Sequence, residues 1–317
     1  MTTARAPKRD FVSMADLDRA GLLALLDAAD SLKARPRGSM LIGKTLALIF
    51  DKPSLRTRLS FDVAMTDQGG RAIYFSPPEV GLGKREPPRD VARVVSRMVD
   101  AVAVRTHAQS LLAEFARFAS VPVINALSEA EHPCQCLADL LTIREHKGRL
   151  AGLNLAYIGD GNNVANSLLI GGATAGLSVT VACPEGYDPP ADILEAARAR
   201  AEASGGEVRI VRRPEVAAEG ADVLYTDVWT SMGQETEARV RSEDFAGFVI
   251  DRRLVGLAAP DVIVMHDLPA HRGEEIEDEV IEGPRSVIFD QAENRLHAQK
   301  ALLVDLLGHS SGTPARV

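Results

Sequence analysis

Five short clusters hold the side chains that could do chemistry. The first is Ser54-Leu55-Arg56-Thr57-Arg58, set between an apolar run at 45–50 and an amphipathic stretch at 59–65. A serine cap, the open N–H groups of a helix start and guanidinium groups at one strand-to-helix turn all favour an anion, and a phosphate fits. The plainer reading is a helix cap with two solvated arginines. The second, His132-Pro133-Cys134-Gln135, also enters a helix, with proline at the first helical position. His132 and Gln135 are three apart and project together from the first turn, an imidazole and an amide suited to polarising a carbonyl while holding an NH2 group.

The third cluster is Gly159-Asp160-Gly161-Asn162-Asn163, directly after a β-type run at 153–158. A dinucleotide fingerprint wants glycine at position 164, where Val164 stands, although Glu185 sits roughly where a ribose-binding acid would be. The asparagine pair instead offers neutral amides at a helix N-terminus, suited to a carboxylate or a zwitterion. The fourth cluster, Asp227-Val228-Trp229-Thr230-Ser231-Met232-Gly233, puts an acid at the end of a strand, where it can pair with an ammonium group, and follows it with a hydroxyl-bearing turn. The fifth, His266-Asp267-Leu268-Pro269, is too short to read alone.

Parallel sheets are the elements that place such clusters at strand ends. Short β-branched runs at 45–50, 71–75, 100–104 and 121–124, then at 153–158, 177–182, 208–211, 222–226, 261–265 and 286–289, alternate with helix-length amphipathic stretches. The predicted class is α/β, with two doubly wound parallel-sheet domains joined by interdomain helices. Ser13 and Asp16 form a capping-box pattern before a helix whose apolar stripe is Leu22, Leu25, Leu26, Ala29 and Leu32. A helix from Pro133 to about Lys147 closes the first series, so the domains are expected at 1–147 and 148–289, with a C-terminal helical segment at 290–317.

A length of 317 residues suits two domains, and 46% hydrophobic with 25% charged residues is a globular balance. A net charge of −8 argues against a nucleic acid partner, while still allowing a local pocket of arginines. Three cysteines, two of them nearly adjacent, suggest neither a disulfide framework nor a zinc site. No apolar run approaches the roughly 18 residues of a membrane span, and no export signal is apparent, so a reducing cytoplasm is expected.

Taken in this order, the clusters resemble the ornithine carbamoyltransferase family. The resemblance runs from about Phe11 to Leu307 and includes Gly81-Leu82-Gly83 and Ala292-Glu293-Asn294-Arg295. It implies one domain for carbamoyl phosphate and one for the amino acid, with the last helix returning to the first. It also implies a homotrimer or trimer-based assembly, with no metal or organic cofactor. The implied reaction is carbamoyl transfer from carbamoyl phosphate to the δ-amine of L-ornithine, giving L-citrulline and phosphate, in arginine biosynthesis.

By the same resemblance Ser54, Arg56 and Thr57 match the phosphate motif, and Arg105 matches the next phosphate-side arginine. His132 and Gln135 match the pair that holds the carbamoyl group, and Arg295 the arginine brought back by the last helix. Asn163, Asp227, Ser231 and Met232 match the groups that hold the α-amino and α-carboxylate ends of ornithine. Two positions depart from the pattern. Leu55 stands where threonine is common, which leaves the backbone donors of the phosphate turn in place. Asp267, before Leu268, stands where the family has cysteine at the ornithine end. A carboxylate is charged at neutral pH where a thiol is mostly neutral. Toward ornithine's ammonium groups Asp267 is favourable and toward dianionic carbamoyl phosphate it is repulsive; since Asp227 already supplies an acid for the amino group, the second reading is preferred, and the two predict opposite effects of Asp267→Cys. The alternatives are therefore a carbamoyltransferase for another amine, a weakly active or inactive paralogue, and a nicotinamide-dependent dehydrogenase.

Overall fold

Thr45–Phe50 (β1) is apolar after its first residue, and every residue of it is buried, as expected of a strand covered on both faces of a parallel sheet. It pairs in parallel with Arg71–Phe75 (β2) on one side and Ala101–Arg105 (β3) on the other, and Val123–Leu127 (β4) completes the order β2-β1-β3-β4. The helices of this half are Arg19–Ala34 (α1), Leu55–Asp67 (α2), Pro77–Val80 (α3), Pro88–Val95 (α4), Gln109–Phe118 (α5) and Pro133–Lys147 (α6). Ile49, Val104, Leu112 and Phe115 belong to one buried cluster between sheet and helices.

The second half repeats the plan. Asn154–Ile158 (β5), Ser178–Ala182 (β6), Val208–Val211 (β7), Val223–Thr226 (β8) and Ile263–His266 (β9) form a parallel sheet in the order β7-β6-β5-β8-β9. Its helices are Asn163–Ala175 (α7), Ala191–Ser204 (α8), Pro214–Ala218 (α9), Ala238–Asp244 (α10), Arg252–Val255 (α11), Asp278–Ile281 (α12) and Ile288–Leu307 (α13). Ile158, Leu224, Trp229, Phe245 and Val264 share its core.

The structure is a computed structural model that describes residues 8–83, 85–230 and 235–308. The chain divides into two compact units, one running to Leu137 and resuming at Arg295, the other spanning Ala138–Asn294. The divisions fall inside α6 and α13; the joint read from the sequence after Lys147 is the C-terminal end of α6.

Each sheet reverses its strand order once. From β1 the chain goes to β2 on one side and then to β3 on the other; from β5 it goes to β6 and β7, then to β8 and β9. In such sheets the carboxyl ends of the strands flanking the reversal leave a crevice for ligands. Ser54 follows β1 and Arg105 ends β3, while the 159–163 turn follows β5 and Asp227 follows β8.

Two sequence-based expectations fail. Residues 286–289 are not a strand: Ser286 makes one isolated parallel bridge with Val264, and α13 starts at Ile288. The Ser13–Asp16 capping box is real but opens a 3-10 turn, Met14–Asp16, while α1 starts later with Asp18 as its cap. Several of the other strands shift by one or two residues from their expected starts, as helix and strand ends commonly do.

Candidate active site

In the first unit α2 begins at the switch point. Ser54 caps it, accepting the Thr57 N–H and donating its hydroxyl to Thr57 Oγ1 at 2.9 Å. This leaves the helix's positive end beside two arginines, Arg56 half-buried in the first turn and Arg105 buried at the end of β3. Leu55 is 78% exposed, so it brings no side-chain donor and only its backbone to the turn.

Arg295, buried on α13, ties this turn to the second cluster. It donates from Nη1 to Gln135 Oε1 at 2.6 Å and from Nη2 to Thr57 Oγ1 at 3.1 Å, and its Nε donates to Gln299 Oε1 at 3.0 Å. Ser60 on α2 approaches the same Gln299 oxygen at 3.1 Å. Buried Lys300 then pairs with Asp67 at the last turn of α2, at 2.6 Å. Both ends of α2 are thus bonded to α13.

His132 is buried just before α6. Burial first, then the charges of Arg295, Arg105 and Arg56, hold its pKa well below the ordinary imidazole range. At neutral pH it is an uncharged imidazole that can donate to a carbonyl oxygen. The neighbouring Cys134 and Cys136 are buried packing residues, and burial pushes the Cys134 thiol up to about 12. A thiol so poorly ionised is no nucleophile.

In the second unit the asparagine pair divides its labour differently from the sequence expectation. Asn162 is the cap of α7: its Oδ1 accepts the N–H groups of Val164 and Ala165, and its Nδ2 donates to Asp227 Oδ2 at 2.8 Å. The chain's own side chain thus takes up two of the donors at this helix start. Asn163, the first helical residue, is half-buried at the same edge. Asp227 is buried, its Oδ1 accepting the Val228 N–H at 2.7 Å. Ser231 and Met232 lie outside the described residues.

Arg241 was not singled out in the sequence, where it is one of two arginines on a short polar helix. It is buried and donates to Asp160 Oδ2 at 2.6 Å and to the Trp229 carbonyl at 2.9 Å, so it fastens the turn after β5 to the segment after β8. Gly161 is required where this turn passes the main chain, since a Cβ there would lie 2.3 Å from Pro189 N.

Asp227, His266 and Asp267 bring one ligand atom each within 4.8 Å of one another, the kind of grouping that can hold a metal ion. Both nitrogens of His266 are already used, however, Nε2 against Glu275 and Nδ1 as acceptor of the Leu268 N–H. Leu268, with φ of 59°, follows Asp267 in a left-handed conformation that leucine seldom adopts.

The dual role of Asn162 gives a direct check. Asn162→Ala is expected to cost about 1 kcal/mol of stability through loss of the cap, read as a lower urea midpoint at unchanged slope. Asn162→Asp keeps the cap but faces Asp227 with a second charge; it should still hold its midpoint better than the alanine variant, and equal midpoints in the two variants would remove the cap assignment.

One switch point carrying an anion-binding helix start, guanidinium groups and a neutral imidazole, and another carrying amides and carboxylates, are the parts of a group transferase that activates a small anionic donor. Residues 9–145 match the family model described as the aspartate/ornithine carbamoyltransferase carbamoyl-P binding domain, and residues 151–306 that described as the Asp/Orn binding domain. An ornithine carbamoyltransferase of Gloeobacter violaceus is 56% identical over 94% of this chain and 96% of its own length. The solved ornithine carbamoyltransferase of Pyrococcus furiosus is 46% identical with a TM-score of 0.93, over 97% of this chain and 99% of that one. A solved N-acetyl-L-ornithine transcarbamylase is 33% identical with a TM-score of 0.86, over 94% and 99%. The chain belongs to the aspartate/ornithine carbamoyltransferase family.

Proposed function

We propose that the protein transfers the carbamoyl group of carbamoyl phosphate to the δ-amine of L-ornithine, giving L-citrulline and phosphate. The observation that carries the reading is Arg295, whose one guanidinium joins the Thr57 hydroxyl at the phosphate turn to the Gln135 amide beside His132. Full-length identity of 56% with an ornithine carbamoyltransferase supports ornithine as acceptor over N-acetylornithine, whose enzyme is 33% identical.

Ser54, Arg56, Thr57, Arg105 and the start of α2 hold the phosphoryl group in this reading, and His132, Thr57 and Arg105 meet the charge that grows on the carbonyl oxygen. Gln135 orients the carbamoyl NH2; an amide oxygen has two lone pairs, so accepting from Arg295 is compatible with accepting from the substrate. The neutral δ-amine attacks the carbonyl carbon, the bond from that carbon to the bridging oxygen breaks, and the electron pair leaves on phosphate. The proton shed by the amine balances the step. Asn163, Asp227, Ser231, Met232, Asp267 and Leu268 hold the amino acid, and positioning supplies much of the remaining acceleration without a covalent intermediate.

The reading extends to a homotrimer or trimer-based assembly working in arginine biosynthesis in the cytoplasm. Exposed Leu55 and Leu59 on α2 and Ile73 on the edge strand β2 support self-association through the first unit, which light scattering on the purified protein checks. Among the described residues no helix is long and apolar enough to cross a membrane.

The test is carbamoyl transfer from carbamoyl phosphate to a panel of ornithine, N-acetylornithine, putrescine and lysine. Ornithine is expected to give the highest kcat/KM; a flat panel, or a higher value for another amine, overturns the assignment.

A further inference from the structure

The turn after β9 rests on a histidine with no nitrogen to spare for chemistry. His266 and Glu275 are fully buried, with Nε2 3.0 Å from Glu275 Oε1. The Leu268 N–H donates to Nδ1 at 2.9 Å. A backbone N–H can only donate, so Nδ1 carries the lone pair and the ring proton sits on Nε2, facing the carboxylate. The same Glu275 oxygen accepts the His271 N–H at 2.6 Å, closing the segment from 266 to 271 on one acceptor. Both partners are themselves anchored through the main chain: the His266 N–H donates to Gln291 Oε1 at 2.9 Å, and the Glu275 carbonyl accepts the Ile250 N–H at 3.0 Å.

This frame encloses the residues that depart from ordinary geometry and from the family pattern. Leu268 is, among the described residues, the one non-glycine with positive φ, and its N–H is the group the imidazole holds. Asp267 precedes it, with its carboxylate among the atoms grouped within 4.8 Å of Asp227. Asp267 Oδ1 lies 3.7 Å from His266 Nδ1, beyond a hydrogen bond, so the histidine controls the aspartate through the main chain and not by direct contact.

We propose that His266 and Glu275 are a positioning pair for the acceptor site: Glu275 fixes the Nε2–H tautomer, the lone pair of Nδ1 fixes the left-handed Leu268, and that turn brings Asp267 beside Asp227. His266 touches no substrate and moves no proton. The inference rests on the reading of Asp267 and Leu268 as acceptor-binding residues.

Two substitutions divide the imidazole's two contacts. His266→Asn sets an amide oxygen near the place of Nδ1 and keeps the hold on Leu268 while giving up Glu275; His266→Gln reaches Glu275 and gives up the turn. The asparagine variant is expected to keep KM for ornithine within about three-fold of the parent, and the glutamine variant to raise it about ten-fold or more, with carbamoyl phosphate affinity by calorimetry unchanged in both. Equal KM values in the two variants, or the reverse order, overturn the proposal. Nitrogen-15 NMR of histidine-labelled parent protein reads the tautomer with no reaction needed: His266 must show a pyridine-type Nδ1 and a pyrrole-type Nε2, and the other tautomer or a charged ring also overturns it. Failure of the parent protein to make citrulline would instead sink the reading of the reaction, with the NMR result still deciding the pair.

Discussion

Arg295→Ala is expected to lower kcat/KM for carbamoyl transfer by about 10²-fold, the scale on which misplaced positioning groups cost rate, while far-UV circular dichroism stays the same. Inside the first unit the guanidinium donates to Gln135, Thr57 and Gln299 at 2.6 to 3.1 Å. Removing it releases in one step the Gln135 amide and the Thr57 hydroxyl, the groups proposed to orient the carbamoyl group and to meet the phosphate. Arg295→Lys keeps a charge but loses the planar fork, so it should recover carbamoyl phosphate affinity more than rate.

The same variant carries a pH signature. The charge of Arg295 is the second cause, after burial, that keeps His132 uncharged. Without it the His132 pKa rises, a larger fraction is protonated at any given acid pH, and the acid limb of residual activity moves to higher pH. An unshifted acid limb, or a rate within a few-fold of the parent, would remove Arg295 from the site. For stability the sign is equally fixed: a depressed histidine pKa favours folding above the unfolded value of about 6.5 and ceases to do so as pH falls.

Much of this was legible in the chain because strand ends announce themselves. The apolar run at 45–50 followed by a serine cap, and the run at 153–158 followed by Gly-Asp-Gly-Asn, each mark a place where a parallel strand must turn into a helix. What spacing could not supply was partnership. Gln135 and Arg295 are 160 positions apart and Thr57 and Arg295 are 238 apart, so their contacts follow only from how α13 meets α2 and the start of α6. Asn162 and Asn163 look alike as letters, yet the cap position consumes the oxygen of the first and turns its NH2 to Asp227. The β-type run at 286–289 failed for a related reason: its last two residues are the first two of α13, and helix packing overrode strand propensity.

At Asp267 the sequence leaves two opposite signs open, and the closeness of its carboxylate to Asp227 supports the acceptor-pairing one. Asp267→Cys is expected to raise KM for L-ornithine about ten-fold or more with carbamoyl phosphate affinity unchanged. The carboxylates of Asp227 and Asp267 approach within 4.8 Å, a repulsion of about 3 kcal/mol at an effective dielectric near 20. Burial, with the nearby acids adding to it, pushes the Tyr157 and Tyr225 hydroxyls far above their ordinary range, so neither phenol ionises beside the pair at neutral pH. Asp227 also spends one oxygen on Asn162 and the other on the Val228 N–H, so alone it is a weakened partner for an ammonium group. A cation placed between the two acids relieves their repulsion as it binds, and an amino-acid acceptor brings such a cation. A thiol in place of Asp267 removes both the repulsion and half of the attraction, and the second loss falls entirely on the bound state. A rise in kcat/KM for ornithine in the Cys variant would mean that the repulsion toward carbamoyl phosphate dominates, and the acid pair would then be a burden on the reaction instead of its acceptor clamp.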